Sequence, residues 1–348
     1  MSVTDVIPAA DPGGPAQPLI TVSGLRKYFP VRGGILGRTQ AQVQAVDGVS
    51  FAVAEGETLG IVGESGCGKS TTAKLLIGLT ERDAGEIVFD GEALGERLSL
   101  KDLRRGVQMV FQDSYATLNP RMTIEASVAF GAHVQGLDDP EGRARRLMDR
   151  VGLDPARFAH RYPHELSGGQ RQRVNIARAL AMSPRVVVLD EAVSALDKSV
   201  EAQVLNLLSD LRAEFGLTYI FISHDLNVVR YISDRILVMY LGEVVEIAPV
   251  DSIWEEQAHP YTRSLFSAMP SMDPDNRTEK PPLAGDPPNP INPPSGCRFH
   301  TRCRFASAVC KAAVPKLAGL DRNAAHMVAC HLYDPASGHP DAGQGGLA

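Results

Sequence analysis

Long apolar runs are missing from this 348-residue chain. None approaches the ~18–20 residues that a membrane-spanning helix needs. The strongest, Val186–Leu189 and Leu217–Ile222, have the length of buried strands. A basic excess is missing too: 35 Lys and Arg stand against 41 Asp and Glu, a formal charge of −6. Dedicated nucleic-acid binders usually show the opposite balance, so no nucleic-acid partner is expected. The opening MSVTDVIPAADPGGPAQPL has neither the basic nor the apolar stretch of a secretory signal. A cytosolic chain is therefore expected. Cysteine is scarce, with five residues, and four of them fall between Cys297 and Cys330. In a reducing compartment such a cluster points to metal before disulfide. Internal repeats are absent, so each motif occurs once.

The composition that remains is ordinary: 44% hydrophobic and 22% charged. It suits a folded chain of about two domains. Residues 1–18, rich in Pro, Ala and Gly, read as a disordered tail. Strand-like and helical runs alternate over 19–266, which argues for a layered α/β domain. Residues 31–42 read as a loop inserted between two early strands. The stretch 267–296 reads as an extended linker; its part from 273 holds eight of the 24 prolines. A small Cys-bearing C-terminal module is expected over 297–334, and a flexible tail over 335–348.

Three motifs carry chemistry. LGIVGESGCGKSTTAKLLIGL (59–79) reads as strand, glycine loop and helix. Within it Gly63, Glu64, Ser65, Gly66, Cys67, Gly68, Lys69 and Ser70 match G-x-x-x-x-G-K-[ST], and Thr71 follows. Backbone amides of such a loop cradle phosphates at a helix N-terminus. Lys69 is expected to reach the outer phosphates, and the Ser70 hydroxyl to bind Mg²⁺. Cys67 is read as a small filler. PRVVVLDEAVSALD (184–197) reads as a buried strand with two acids at its carboxyl end, where α/β sheets bind ligands. Asp190 is expected to hold Mg²⁺ and Glu191 to act as general base on the attacking water. HELSGGQRQRVNIARAL (164–180) places Ser167, Gly168, Gly169 and Gln170 at the start of an amphipathic helix, again an anion site.

The order of these motifs, with LSGGQ between the phosphate loop and the carboxylate strand, resembles the ABC-type ATPases. The resemblance implies a P-loop ABC-type nucleotide-binding domain with an antiparallel β portion. A helical subdomain, about 113–180, would carry the signature. It implies that Tyr28 stacks on adenine and that Gln112 senses Mg²⁺ and water. It also implies that Ser194 and Asp197 belong to a loop communicating across a dimer, and that His224 contacts the γ-phosphate. The signature would face ATP held by a second, related subunit, in a heterodimer or alternatively a homodimer. QDSYATLNPRMT (112–123), AVSALDKSVEAQVLNLL (192–208), GDPPNPINPPSGCRFHTRC (285–303) and HMVACHL (326–332) resemble bacterial oligopeptide, dipeptide and nickel importers. Ala192 and Ser114 stand where that group commonly has proline. The implied role is ATP-hydrolysing energy coupling beneath two transmembrane permease subunits, on the cytoplasmic face of the inner membrane. An extracellular substrate-binding protein would serve the complex indirectly. The segment Gln112–Met122 would contact a permease. Nickel or glutathione import, and a soluble ABC ATPase without transport, are the alternatives.

Cys297, Cys303, Cys310 and Cys330 are separated by five, six and nineteen residues, slightly wide for a zinc knuckle. Four thiolates match the ligand set of a [4Fe–4S] cluster, and some importers of this group carry one in the same tail. Zn²⁺, with His300, His326 or His331 as further ligands, and four reduced cysteines remain open. Arg143, Arg145, Arg146 and Arg150 read as a solvated helix face or, alternatively, a polyanion site.

Overall fold

The computed structural model describes residues 17–33, 38–269, 288–320 and 323–343. In chain order the elements begin with β1 (Ile20–Gly33), β2 (Arg38–Val53), β3 (Thr58–Val62) and α1 (Lys69–Leu76). β4 (Ala84–Phe89), β5 (Glu92–Ala93), α2 (Leu100–Gly106) and β6 (Val107–Val110) follow. Then come α3 (Ile124–Gln135), α4 (Pro140–Arg150), α5 (Pro155–Phe158) and α6 (Gly168–Leu180). β7 (Val186–Asp190), α7 (Lys198–Phe215), β8 (Thr218–Ile222), α8 (Leu226–Ile232) and β9 (Arg235–Tyr240) complete the alternation. The chain ends with β10 (Glu243–Pro249), α9 (Val250–Glu255), α10 (Pro260–Ser267), α11 (Ala308–Ala312), β11 (Ala318–Leu320) and β12 (Asn323–Val328).

Two sheets result. One has the order β2-β1-β4-β5 and is antiparallel; the other has the order β11-β12-β10-β9-β3-β8-β7-β6. In the second, β6, β7, β8, β3 and β9 pair in parallel. Strands β3, β7 and β8 are buried along their whole length, as apolar runs between two layers must be. The period-2 alternation of side chains divides the core. Val187, Leu189, Tyr219, Phe221, Ile236 and Val238 face one cluster, with α3, α6, α7 and α8 contributing to it. Val186, Val188, Ile220, Ile222, Leu237 and Met239 face the other, which α1 and the antiparallel sheet cover. The sheet is thus a septum, and its parallel strands end together beside α1.

The described residues differ from the expected loops and tails in three places. Residues 31–42 are not a plain loop: Val31 pairs with Ala41, and Gly33 with Arg38, so β1 and β2 extend as a hairpin. Its tip, 34–37, lies outside the described residues, as do 1–16 of the expected tail, 270–287 of the linker and 344–348. The described end of the linker is docked, because the Pro290 carbonyl accepts from the Gln44 amide at 3.0 Å. Residues 335–343 are docked at points: His339 is buried, and the Gly343 amide donates to the Leu332 carbonyl at 3.1 Å. Nor does the cysteine segment stand apart. β12 pairs with β10, and the buried His326 meets the buried Glu246 at 2.6 Å. The four arginines of α4 are engaged: Arg145 with Glu125, Arg146 with Asp139, Arg150 with Glu214, and Arg143 with the Ser183 hydroxyl. These partners suit the solvated-face reading.

His259 caps α10, its Nδ1 accepting from the Tyr261 amide at 3.0 Å. Burial pushes its pKa down from 6.5 to about 4, against the opposing pull of Glu246. The folded value lies below the unfolded one, so the unfolded chain takes up the proton first. Stability should therefore be full above about pH 6.5 and fall toward pH 4. The slope should be at most about 1.4 kcal/mol per pH unit from this group. His259→Asn keeps a capping oxygen without the titration. Urea midpoints at pH 7.5 and 5 should converge in that variant relative to the parent chain. An unchanged pH dependence would remove His259 as the cause.

Candidate active site

The glycine loop leaves β3 and enters α1. Gly68 is the N-cap, with φ +107°, and a Cβ there would meet the Ala45 carbonyl oxygen at 2.2 Å. Only glycine fits such a left-handed, crowded position. The Lys69 ammonium donates to the Gly63 carbonyl at 2.7 Å and the Glu64 carbonyl at 3.1 Å, which folds it over the loop. Ser65 and Gly66 are exposed, and Ser70 and Thr71 are half-buried. Cys67 is buried, and burial pushes its thiol pKa up, as suits a packing residue more than a nucleophile.

β7 is adjacent to β8 and delivers its two acids to α1. The Ser70 hydroxyl donates to Asp190 Oδ1 at 2.9 Å. Asp190 is buried, and desolvation raises its pKa, while the Ser70 hydrogen bond opposes the rise. A buried carboxylate beside a hydroxyl is a hard-oxygen donor pair, the chemistry that Mg²⁺ requires. Glu191 adopts φ +47°, a left-handed conformation rare for a non-glycine residue. Its amide donates to the Ile222 carbonyl at 2.9 Å, and the Ser194 hydroxyl donates to its carbonyl at 2.9 Å. Such strain, of order 1–3 kcal/mol, persists only where surrounding structure holds it. The turn aims the carboxylate at two groups from neighbouring strand ends. Gln112, after β6, donates to Glu191 Oε2 at 2.8 Å, and His224 Nδ1, after β8, lies 3.4 Å from the same oxygen. Gln112 and Glu191, 79 positions apart, are thus gathered with His224 at one edge.

Tyr28 is half-buried on β1. Its hydroxyl donates to Asp47 at 2.7 Å, and its amide donates to Asp83 at 2.6 Å. Ser167, Gly168, Gly169 and Gln170 lie elsewhere. Ser167 caps α6 in a reciprocal box: Ser167 Oγ accepts from the Gln170 amide, and Gln170 Oε1 accepts from the Ser167 amide at 2.9 Å. Gly169 presses on α7, where a Cβ would meet Val200 at 2.4 Å. Among the described residues no hydrogen bond or ion pair joins 167–170 to the loop 63–71. Asp197 is the exposed N-cap of α7.

The sequence reading missed Asp47, Tyr261, Arg298 and Arg302. Tyr261 accepts the Glu64 amide hydrogen at 2.8 Å, and the two arginines bind Asp47 and Glu64. The only signal available was two arginines adjoining Cys297 and Cys303.

The four C-terminal cysteines lie near one another, Cys310 buried and Cys297, Cys303 and Cys330 half-buried. Burial pushes the thiols of Cys297 and Cys330 up to about 12, and the nearby cysteines add to the rise. Cys303 is raised in the same way, with Cys310 contributing. All are free thiols. Four clustered thiols suit iron–sulfur or zinc by donor type. Yet among the described residues no three His, Cys, Asp or Glu side chains stand together as a ligand set.

Residues 46–194 match the family described as ABC transporter, and 245–310 match the oligopeptide/dipeptide transporter C-terminal region. The oligopeptide transport ATP-binding protein AppF of Bacillus subtilis is 47% identical over 325 residues, 91% of this chain and 98% of that one. The glutathione import ATP-binding protein GsiA of Pectobacterium atrosepticum is 48% identical over 295 residues, 83% of this chain and 47% of that one. Among solved structures, cbiO1 from Clostridium perfringens, part of the ABC transporter complex cbiONQ, matches with TM-score 0.59 and 28% identity. The match covers 70% of this chain and 92% of that one.

Proposed function

The chain belongs to the ABC transporter ATP-binding family, in its oligopeptide/dipeptide transporter branch, and we propose that it drives import of dipeptides or oligopeptides by hydrolysing ATP. The convergence of Gln112 and His224 on Glu191, beside the Ser70–Asp190 pair, is the observation that carries this reading. Glu191 would take the proton of the attacking water, with Gln112 and His224 holding its carboxylate in place. Lys69 and the loop amides would bind the triphosphate, and Tyr28 the adenine. Mg²⁺, held by Ser70, Asp190 and Gln112, would neutralise phosphate charge. Steady-state release of phosphate from MgATP by the purified chain with its partners is the direct test. No phosphate release from any such assembly would sink it.

The permeases are the natural partners. No helix among the described residues is long and apolar enough to cross a membrane, so coupling needs separate membrane subunits. An open groove of 480 Å³ beside the Gln112–Met122 segment is lined by Leu79, Phe111, Thr117, Phe130 and Met182. Phe130 and Leu79 are more than half exposed. That apolar exposure supports docking of a permease element there, at the cytoplasmic face of the membrane. Two related ATPase subunits, most simply different ones, would lie side by side beneath the permeases. The likeness to GsiA supports glutathione as a second substrate reading. Copurification with cognate permeases, and substrate binding by the associated extracellular protein, would separate the two.

The four cysteines would hold a [4Fe–4S] cluster, with Zn²⁺ as the alternative. Their closeness to one another supports this, since four cysteine sulfurs are the donor set that either centre takes. Anaerobically purified protein should be brown with about four irons per chain. A colourless, iron-free preparation with one zinc per chain would replace the cluster with a zinc site.

A further inference from the structure

The C-terminal region reaches back toward the nucleotide site through two arginines whose side chains are buried, Arg302 on the phosphate loop and Arg298 on Asp47. Arg302 grips Glu64 with both guanidinium arms, Nη1 to Oε2 at 2.9 Å and Nη2 to Oε1 at 3.2 Å. Its side chain is only 6% exposed, and that of Glu64 is 21% exposed. Nη1 also approaches the Tyr240 hydroxyl at 3.4 Å. The partners lie 238 residues apart in sequence. Four residues earlier, Arg298 binds Asp47, the carboxylate that accepts the Tyr28 hydroxyl. It also binds Glu243 at 2.9 Å and Gln44 at 2.8 Å. The stretch Cys297–Cys303 therefore holds both the phosphate loop and the tyrosine proposed to meet adenine.

Glu64 brings a carboxylate into this loop. Its carbonyl accepts from Lys69, where an anion is to bind, and its amide donates to the Tyr261 hydroxyl, yet it adds a carboxylate. A partly desolvated negative charge there would repel a triphosphate. A bidentate guanidinium cancels that charge and fixes the carboxylate on the tail side. We propose that Arg302 is a positioning residue for nucleotide binding, acting through Glu64. The C-terminal region is thereby part of the nucleotide site. This rests on the reading of the loop as an ATP site.

The test is a titration of the full chain with a fluorescent N-methylanthraniloyl ATP in the presence of Mg²⁺. Arg302→Gln should raise Kd about tenfold, the equivalent of about 1.4 kcal/mol. Arg302→Lys keeps the charge but not the fork, and should recover part of the loss. In a Glu64→Gln background, Arg302→Gln should change Kd less than threefold, because no carboxylate is left to unmask. An Arg302→Gln Kd within twofold of the parent would overturn the inference. So would an equal loss with and without Glu64, which is the pattern of a purely structural arginine. If Arg302→Gln fails to fold, the lysine variant and the Glu64→Gln pair still decide. Failure of the parent chain to bind the probe would instead strike the ATP reading itself, and the inference with it.

Discussion

Glu191→Gln should keep nucleotide binding and lose hydrolysis by about 10²–10⁴-fold, the usual contribution of a positioned general base. The amide is nearly the same size, so the φ +47° turn and its hydrogen bonds to Ile222 and Ser194 can persist. What disappears is the proton acceptor. The Lys69 contacts to Gly63 and Glu64 and the Ser70–Asp190 bond do not involve Glu191, so the loop should bind ATP as before. Single-turnover hydrolysis and nucleotide affinity, measured on the same preparation, separate the two effects. Hydrolysis at the parent rate would remove Glu191 from the role. Loss of binding in step with hydrolysis would make it a structural residue of the β7 turn. Gln112→Ala should act in the same direction but less severely, because His224 still approaches Glu191 Oε2 at 3.4 Å.

The reach of the sequence follows the range of the forces that make each feature. The phosphate loop was legible because its requirements are local: a strand, positive-φ glycines and a helix start lie within a dozen residues. The uninterrupted apolar runs Val186–Leu189 and Leu217–Ile222 likewise announced buried strands. Glu191 was legible from its strand end, and Gln112 and His224 only through the family resemblance; their meeting depends on three neighbouring strand ends. Arg302 and Glu64 were beyond reach. Neither residue type is unusual in its own segment, and the pair forms where the stretch 290–303 docks on the domain, with Pro290 on Gln44 and Phe299 against Tyr240 and Tyr261. The hairpin at 31–42 was misread because glycine and glutamine suggest a loop. Backbone pairing such as Val31 with Ala41 needs no apolar alternation where both faces are wet. The docked end at 335–343 was misread for a related reason. Small polar residues such as Ser337 and Gly343 look disordered, yet they dock through backbone and hydroxyl hydrogen bonds to His331 and Leu332.

Ser167→Arg should abolish turnover of the assembled complex by at least ~10²-fold at the site it completes, while this chain still binds ATP. The argument begins with the geometry of α6. Its first amides are free of helical partners, as at every helix N-terminus, and Ser167 is exposed beside them. Among the described residues no hydrogen bond or ion pair links this helix start to the chain's own phosphate loop, which suits the proposal that the anion it meets is held by another subunit. Gly169 permits the close approach here: α6 lies against α7 so closely that a Cβ would strike Val200. The helix start is therefore held by the same element that Asp197 caps, which ties the signature to the loop after Glu191. An arginine at 167 loses the reciprocal cap with Gln170 and places a long side chain where the partner's triphosphate must approach. Capping alone is worth about 1 kcal/mol, too little to unfold the chain. The decisive comparison is two-sided. Paired with a normal partner, the variant should show nucleotide affinity close to the parent and lose hydrolysis at the partner's loop. Normal turnover by the complex would refute a shared site. Loss of this chain's own ATP binding would place the fault in folding, which a thermal melt on the same sample would reveal.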